Sequence, residues 1–306
     1  MFFQQYLSMK YILVIFTILI SAYARRKPTC HACIHSVCYS RELIIRGFKL
    51  SGQLAIDRTS NILYFHYRHK RKEVTGAFSL DEVKLSILPL NFTFGRAVDQ
   101  LTRNLYTSGV QGVYIYNPFN NSTELYALKD KTIWNMQYED KLYYTEFKSK
   151  GLYKYENKKS IKIPELSDYQ IDNFIIDRQK DIYFMSNYTI HVLRNGSKQV
   201  ELFEDEIYYM STDRNGIAYF IQPYTRGMYK INHMGKLSEV GAFKKDSVFL
   251  FVFDNENNII YEGNDSSVYY LAPKLTKCSV TTKGVGRFRK KIISTTDRRI
   301  REKCCQ

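Results

Sequence analysis

Six times the chain repeats one short phrase: an apolar run, usually an acid, a polar turn, then a strand that opens on an aromatic residue. The copies are LAIDRTSNILYF, RAVDQLTRNLYT, WNMQYEDKLYYT, FIIDRQKDIYFM, MSTDRNGIAYFI and FVFDNENNIIYE. Aligned on Tyr64, Tyr106, Tyr143, Tyr183, Tyr219 and Tyr261, they are separated by 42, 37, 40, 36 and 42 residues. A period near forty is the length of one four-stranded propeller blade. A third strand follows each hairpin from the second onward (GVYIYN, GLYKYEN, TIHVLRNG, GMYKINHMG, SVYYLAP), and a fourth follows most of these (TELYAL, SIKIP, QVELF, KLSEVG). These segments alternate apolar and polar residues, the period of two expected of a strand with one buried face. The fold predicted is an all-β, six-bladed β-propeller.

The repeated acid has a structural role in this scheme. A carboxylate at the start of a tight turn accepts hydrogen bonds from backbone N–H groups two residues on. Asp57, Asp99, Asp177, Asp213 and Asp254 fill the position in five copies, and Tyr138 fills it in the third. The sixth repeat ends after its third strand, while an unassigned strand, CYSRELIIRG, precedes the first repeat. That strand is expected to complete the last blade and so remove the exposed sheet edges of an open ring. Closure would bring Cys278 beside Cys30, Cys33 or Cys38, and a disulfide there would close a loop of some 240 residues, nominally worth a few kcal/mol.

Before the repeats, MKYILVIFTILISAYA carries a lysine, a short apolar run and an Ala22-x-Ala24 ending, the pattern of a secretory signal peptide over residues 1–24. The run is about half of the ~20 residues needed to span a bilayer, so no transmembrane segment is expected. Export favours disulfides over a metal site for CHACIHSVC. Six cysteines allow 15 pairings, and connectivity stays open. Six glycosylation sequons, at Asn91, Asn120, Asn121, Asn187, Asn195 and Asn264, agree with export and carry weight if they fall on turns.

With repeats, closure and cysteines in place, the sequence resembles the ommochrome-binding proteins of moths and butterflies, secreted haemolymph proteins that carry ommochrome pigment. The resemblance runs from about Cys30 to Cys278. It rests on the cysteine-rich start, QLAIDRTSNILYF, AVDQLTRNLYTSGVQGVYIYN, IWNMQYEDKLYYTEF, and FVFDNENNIIYEG leading to KC. It implies noncovalent binding of an acidic, planar, tryptophan-derived pigment, without catalysis, metal or cofactor.

In a propeller the residues entering each inner strand surround one mouth of the central channel, together with the loops joining second and third strands. Five residues before the repeat acid stand Gly52, Phe94, Ile133, Asp172, Tyr208 and Phe249; four before it stand Gln53, Gly95, Trp134, Asn173, Tyr209 and Leu250. A metal-dependent propeller lactonase or esterase, the main alternative, needs several converging oxygens for its cation. Only Asp172 and Asn173 qualify, so no catalytic residue is assigned. Trp134, Phe94, Tyr208, Tyr209 and Phe249 instead offer stacking surfaces for a flat ligand, with Arg96 able to pair with a carboxylate. Inner-strand aromatics also pack between blades, so each of these is equally a candidate for the core. A protein-interaction role for the same face is a third reading.

The formal net charge is +15. Part of it lies in the last segment, where Lys283 to Gln306 hold nine Lys or Arg against Asp297 and Glu302. Residues 279–306 read as a disordered, solvated basic tail. Contact with a polyanion, or dimerisation through Cys304 or Cys305, is the sharper alternative. Nucleic acid is not an expected partner of an exported chain, and a monomer is expected. RHKRK, Arg68 to Lys72, reads as an exposed loop on the ligand face.

Overall fold

The computed structural model describes residues 30–69, 72–90, 94–109 and 111–277. The signal sequence, the basic tail, Asn91, Lys70, Arg71, Cys278, Cys304 and Cys305 lie outside the described residues. What is described is almost wholly strand, with one short 3-10 turn at Pro164–Leu166. The architecture is a β-propeller. Four separate sheets hold four antiparallel strands each, and a fifth holds nine. The inner strands are Leu50–Asp57, Arg96–Val98, Ile133–Tyr138, Asn173–Ile176, Tyr209–Thr212 and Phe251–Phe253. Each touches the next, and Phe251–Phe253 touches Leu50–Asp57.

The nine-stranded sheet differs from the expectation of separate blades. Val37–Ile45 pairs antiparallel with Val268–Lys277, on the outer side of the sixth repeat. A preceding strand, Ala32–Ile34, pairs with Val37–Ile45 and with Leu237–Phe243 of the fifth repeat. This three-residue strand stitches two strand quartets into one sheet. Gly241 permits the close approach: its φ is +157°, and a Cβ there would stand 1.9 Å from the Cys33 carbonyl oxygen. Cys30 and Cys38 form a disulfide across the hairpin, and Cys33 is disulfide-bonded as well.

The turn acids behave as their chemistry requires. All five are buried, and each Oδ1 accepts the backbone N–H two residues on, as from Thr59 (3.0 Å), Leu101 (2.9 Å), Gln179 (2.8 Å), Asn215 (2.8 Å) and Glu256 (2.8 Å). Turns this tight need a residue at positive φ, and Gly216 (φ +71°) and Asn257 (φ 62°) supply it with least steric cost. In the third repeat Tyr138 takes the acid's place and stacks on Tyr106 of the preceding sheet, with ring centroids 5.0 Å apart.

The core lies between neighbouring sheets. Leu63 and Phe65 of the first repeat pack with Val252, Ile260 and Val268 of the last, and Tyr183 and Val192 pack with Met210 and Phe220. Glutamines complete the inner wall. Gln100 Nε2 donates to the Ile56 carbonyl (2.8 Å) while its Oε1 accepts Arg58 N–H (3.1 Å). Gln137 bonds both the carbonyl and the N–H of one residue, Ile176. Each amide satisfies a neighbouring inner strand that has no full ladder on that side. The sequons at Asn120, Asn121, Asn187, Asn195 and Asn264 all fall on exposed turns.

Candidate functional site: an aromatic mouth on a central cavity

A cavity of about 1680 Å³ runs along the axis between the inner strands. Because every inner strand crosses the disc in the same sense, residues before the repeat acid line one end and residues after it line the other. At the far end Arg58 turns inward. Its Nε donates to the Phe253 carbonyl (3.2 Å) and its Nη2 to that of Thr212 (2.8 Å), so its guanidinium ties the first repeat to the fifth and sixth. Burial pulls its pKa below the ordinary guanidinium value, against the opposing pull of Asp213, Glu139 and Asp254.

The near end is aromatic. Phe94, Trp134 and Phe147 form a continuous tilted stack, with centroids 5.2 Å and 5.4 Å apart and planes inclined by 34° and 35°. Trp134 is fixed at its polar edge, where Nε1 donates to the Asp172 carbonyl (3.1 Å). Lys148 Nζ sits 5.3 Å from the Phe147 ring centroid. Tyr209 and Phe249 meet edge to face at 5.4 Å. Offset stacks and edge contacts are the arrangements that aromatic quadrupoles favour.

Trp134, Phe94, Tyr209 and Phe249, all expected from the repeat offsets, therefore line this cavity. Tyr208 does not. It is 6% exposed and packs edge to face against Phe220 and Tyr229, because adjacent residues of a strand point to opposite sides and Tyr209 takes the channel side. Arg96 stands against the cavity wall, yet its side chain is wholly buried. Nη1 donates to the Gln53 carbonyl. Burial lowers its pKa to about 9. Gln53 covers it by reaching past the second inner strand to the third, where its amide pairs with both the N–H and the carbonyl of Met136. The Arg96 guanidinium is thus withdrawn from the mouth, where it was expected to face a ligand.

Three mouth residues escaped the offset argument: Phe147, Tyr188 and Tyr224, which line the same cavity and are 45%, 50% and 65% exposed. They belong to the loops between second and third strands, at EFK, NYT and PYT. The signal was present, since those loops were expected on this face, but their lengths differ and no fixed offset reaches them. Asp172 also lies at the rim, and partial burial raises its carboxyl pKa above the usual value. Among the described residues, no group of three or more His, Cys, Asp or Glu is placed to hold a metal ion.

No family model matches the chain. A curated relative does: the ommochrome-binding protein of Manduca sexta is 26% identical over 256 residues, covering 78% of this chain and 89% of that protein. The chain is a sequence relative of the ommochrome-binding proteins. Solved structures share the fold at much lower identity. A gluconolactonase of Xanthomonas campestris superposes with a TM-score of 0.61 at 11% identity, over 81% of this chain and 96% of that one. An auxiliary nutrient-binding protein of Bacteroides ovatus gives 0.59 at 11%, over 78% and 77%. An enzyme and a binding protein on one scaffold show that the fold alone does not choose between them.

Proposed function

We propose that this chain is a secreted, non-enzymatic carrier of an ommochrome-type pigment, bound at the aromatic mouth of a six-bladed propeller that Val37–Ile45 closes. In this reading residues 1–24 are a signal peptide, residues 30–278 the propeller and residues 279–306 a basic tail that offers a contact for polyanions. The molecule is a monomer, glycosylated on its exposed turns. The observation that carries the reading is the Phe94–Trp134–Phe147 stack opening onto a cavity large enough for a multi-ring ligand. The pigment-binding relative supports the ligand class. A planar chromophore extends the stack, and Lys148 and Lys49, both exposed at the cavity, take the cationic pairing that Arg96 is too deeply buried to provide.

Trp134 is the only tryptophan in the chain, so its fluorescence reports directly on ligand at the mouth. Titration with an ommochrome is expected to quench it. Trp134→Ala should weaken affinity, followed by pigment absorbance, about tenfold, the equivalent of roughly 1.4 kcal/mol of stacking and contact. Unchanged affinity in a folded variant would overturn the assignment.

The rim acid gives a pH signature. Asp172 has a raised pKa, so acidification neutralises it while the pigment's own, more acidic carboxylates stay ionised. Loss of that repulsion should strengthen binding of an acidic pigment about threefold as pH falls through the raised pKa, in line with the modest strength of rim charges. Asp172→Asn should bind with the higher affinity throughout and show a flat profile.

A further inference from the structure

A half-buried arginine ordinarily meets a carboxylate, as Arg41, Arg103 and Arg194 meet Asp246 (2.8 Å), Asp57 (3.1 Å) and Asp181 (2.8 Å). Arg58 does not. At the far end of the channel its Nε and Nη2 are taken by the Phe253 and Thr212 carbonyls, which accept hydrogen bonds but carry no countercharge. The acids around it are engaged elsewhere. Asp213 Oδ1 accepts the N–H groups of Asn215 and Ile217, Asp254 serves four donors, and Glu139 takes Lys180 and Gln137. Asp213, Glu139 and Asp254 favour the charged guanidinium from a distance and form no ion pair with it. A cation drawn out of bulk water without a counter-ion is costly.

One nitrogen is left over. Arg58 Nη1 donates to no group among the described residues. It is not sealed in, because the polar atoms that are both buried and unpartnered do not include it, and the side chain keeps partial exposure. Neighbouring repeats add charge to the same end. Arg178 and Arg214 follow the turn acid in the fourth and fifth copies as Arg58 does in the first, and both are exposed at the cavity.

We infer that Arg58 is an anion-binding residue whose Nη1 takes a carboxylate at the far end of the central channel, through a charge-assisted hydrogen bond. The carboxylate has two sources. One is a free small acid. The other, which rests on the pigment-binding reading, is the tail of a ligand stacked at the mouth. Trp134 stands four residues before the turn position and Arg58 one after it, a separation of about 16 Å along the strand direction. Such a ligand carries its acid on a side chain and not on the ring edge.

The test uses the full chain, unmodified and as Arg58→Met, with acetate and with a dye pair, acridone N-pentanoate and its methyl ester. For the free acid, melts in sodium acetate are compared with sodium chloride at equal ionic strength. Acetate at about ten times its Kd should raise the melting temperature by about 3 °C in the unmodified protein and not in Arg58→Met. For the tethered acid, titrations followed by Trp134 fluorescence give the preference for acid over ester in each protein. That preference should be about tenfold greater with Arg58 present, since the mouth lysines contribute to both proteins and cancel in the ratio. Either result supports the inference and names the source. If acetate acts alike on both proteins and the two preferences agree, the inference is overturned and pigment binding stands. If neither dye quenches Trp134, the tethered source falls and acetate decides alone. Should Arg58→Met not fold, the arginine 15N spectrum of the unmodified protein decides: acetate or the acid dye must shift the Arg58 side-chain signal, and a signal unmoved by both overturns the inference.

Discussion

Replacing Asp254 with alanine is expected to destabilise the protein by about 4 kcal/mol, lowering its melting temperature by roughly 10 °C for a domain of this size. The carboxylate is 3% exposed and serves four donors. Oδ1 accepts the backbone N–H groups of Glu256 and Asn258, each at 2.8 Å. Oδ2 accepts Asn258 Nδ2 at 3.0 Å and the Tyr270 hydroxyl at 2.7 Å. Alanine leaves the two backbone N–H groups and the Tyr270 hydroxyl proton without this acceptor, while Asn258 Nδ2 keeps the Tyr270 oxygen at 2.6 Å, and water has little access to replace the lost oxygens. Asp254→Asn retains one acceptor oxygen and should cost about half as much. Calorimetric or circular-dichroism melts measure both. A change below about 1 kcal/mol for alanine would mean that the turn holds without its acid. The consequence reaches the cavity, because the preceding carbonyl, Phe253, receives the Arg58 guanidinium. Loosening this turn loosens the far end of the channel.

The fold was legible where one chemical requirement recurs. A turn that needs a carboxylate, followed by a strand that needs an aromatic, repeats along the chain and can be read without knowing what packs against it. The strand Ala32–Ile34 lacked such a signal. It has three residues, too few to show a period of two, and lies in a stretch dominated by cysteine and histidine. The site was legible to the level of a strand entrance and no further. Tyr208 and Tyr209 are neighbours at the two adjacent offsets, five and four before Asp213, and only the pleat decides which faces the channel. Irregular pairing shifts that phase locally, between Ser51 and Ala55 and between Ile133 and Asn135, and a single sequence does not reveal a bulge. Arg96 was misplaced for a different reason. A guanidinium is ordinarily solvated, and nothing local to FGRAVD announces that Gln53, 43 residues earlier, covers it.

Asp246→Ala is expected to cost about 3–4 kcal/mol, the penalty of removing one partner from a largely buried ionic and hydrogen-bonded cluster. Asp246 lies just before the sixth inner strand and belongs to no repeated motif. Arg41 Nη1 donates to both its oxygens, at 3.0 Å and 2.8 Å, and the wholly buried Tyr261 hydroxyl donates to Oδ2 at 2.6 Å. Arg41 stands on Val37–Ile45 and also lies over the Tyr269 ring, 4.3 Å from its centroid. The carboxylate, together with the Arg41 side chain it holds, thus links a strand from the start of the described chain to two from its end. Arg41→Ala should cost less, about 1–2 kcal/mol: its side chain is 29% exposed, and Asp246 keeps the tyrosine. In the double variant the two costs should fail to add by about 1 kcal/mol or more. If Val37–Ile45 closes the propeller as proposed, Asp246→Ala should also speed limited proteolysis within that strand, because its backbone pairing with Val268–Lys277 then opens more often. Additive costs together with unchanged proteolysis would place closure on the backbone ladder and the disulfides alone, with the Arg41–Asp246 pair a bystander.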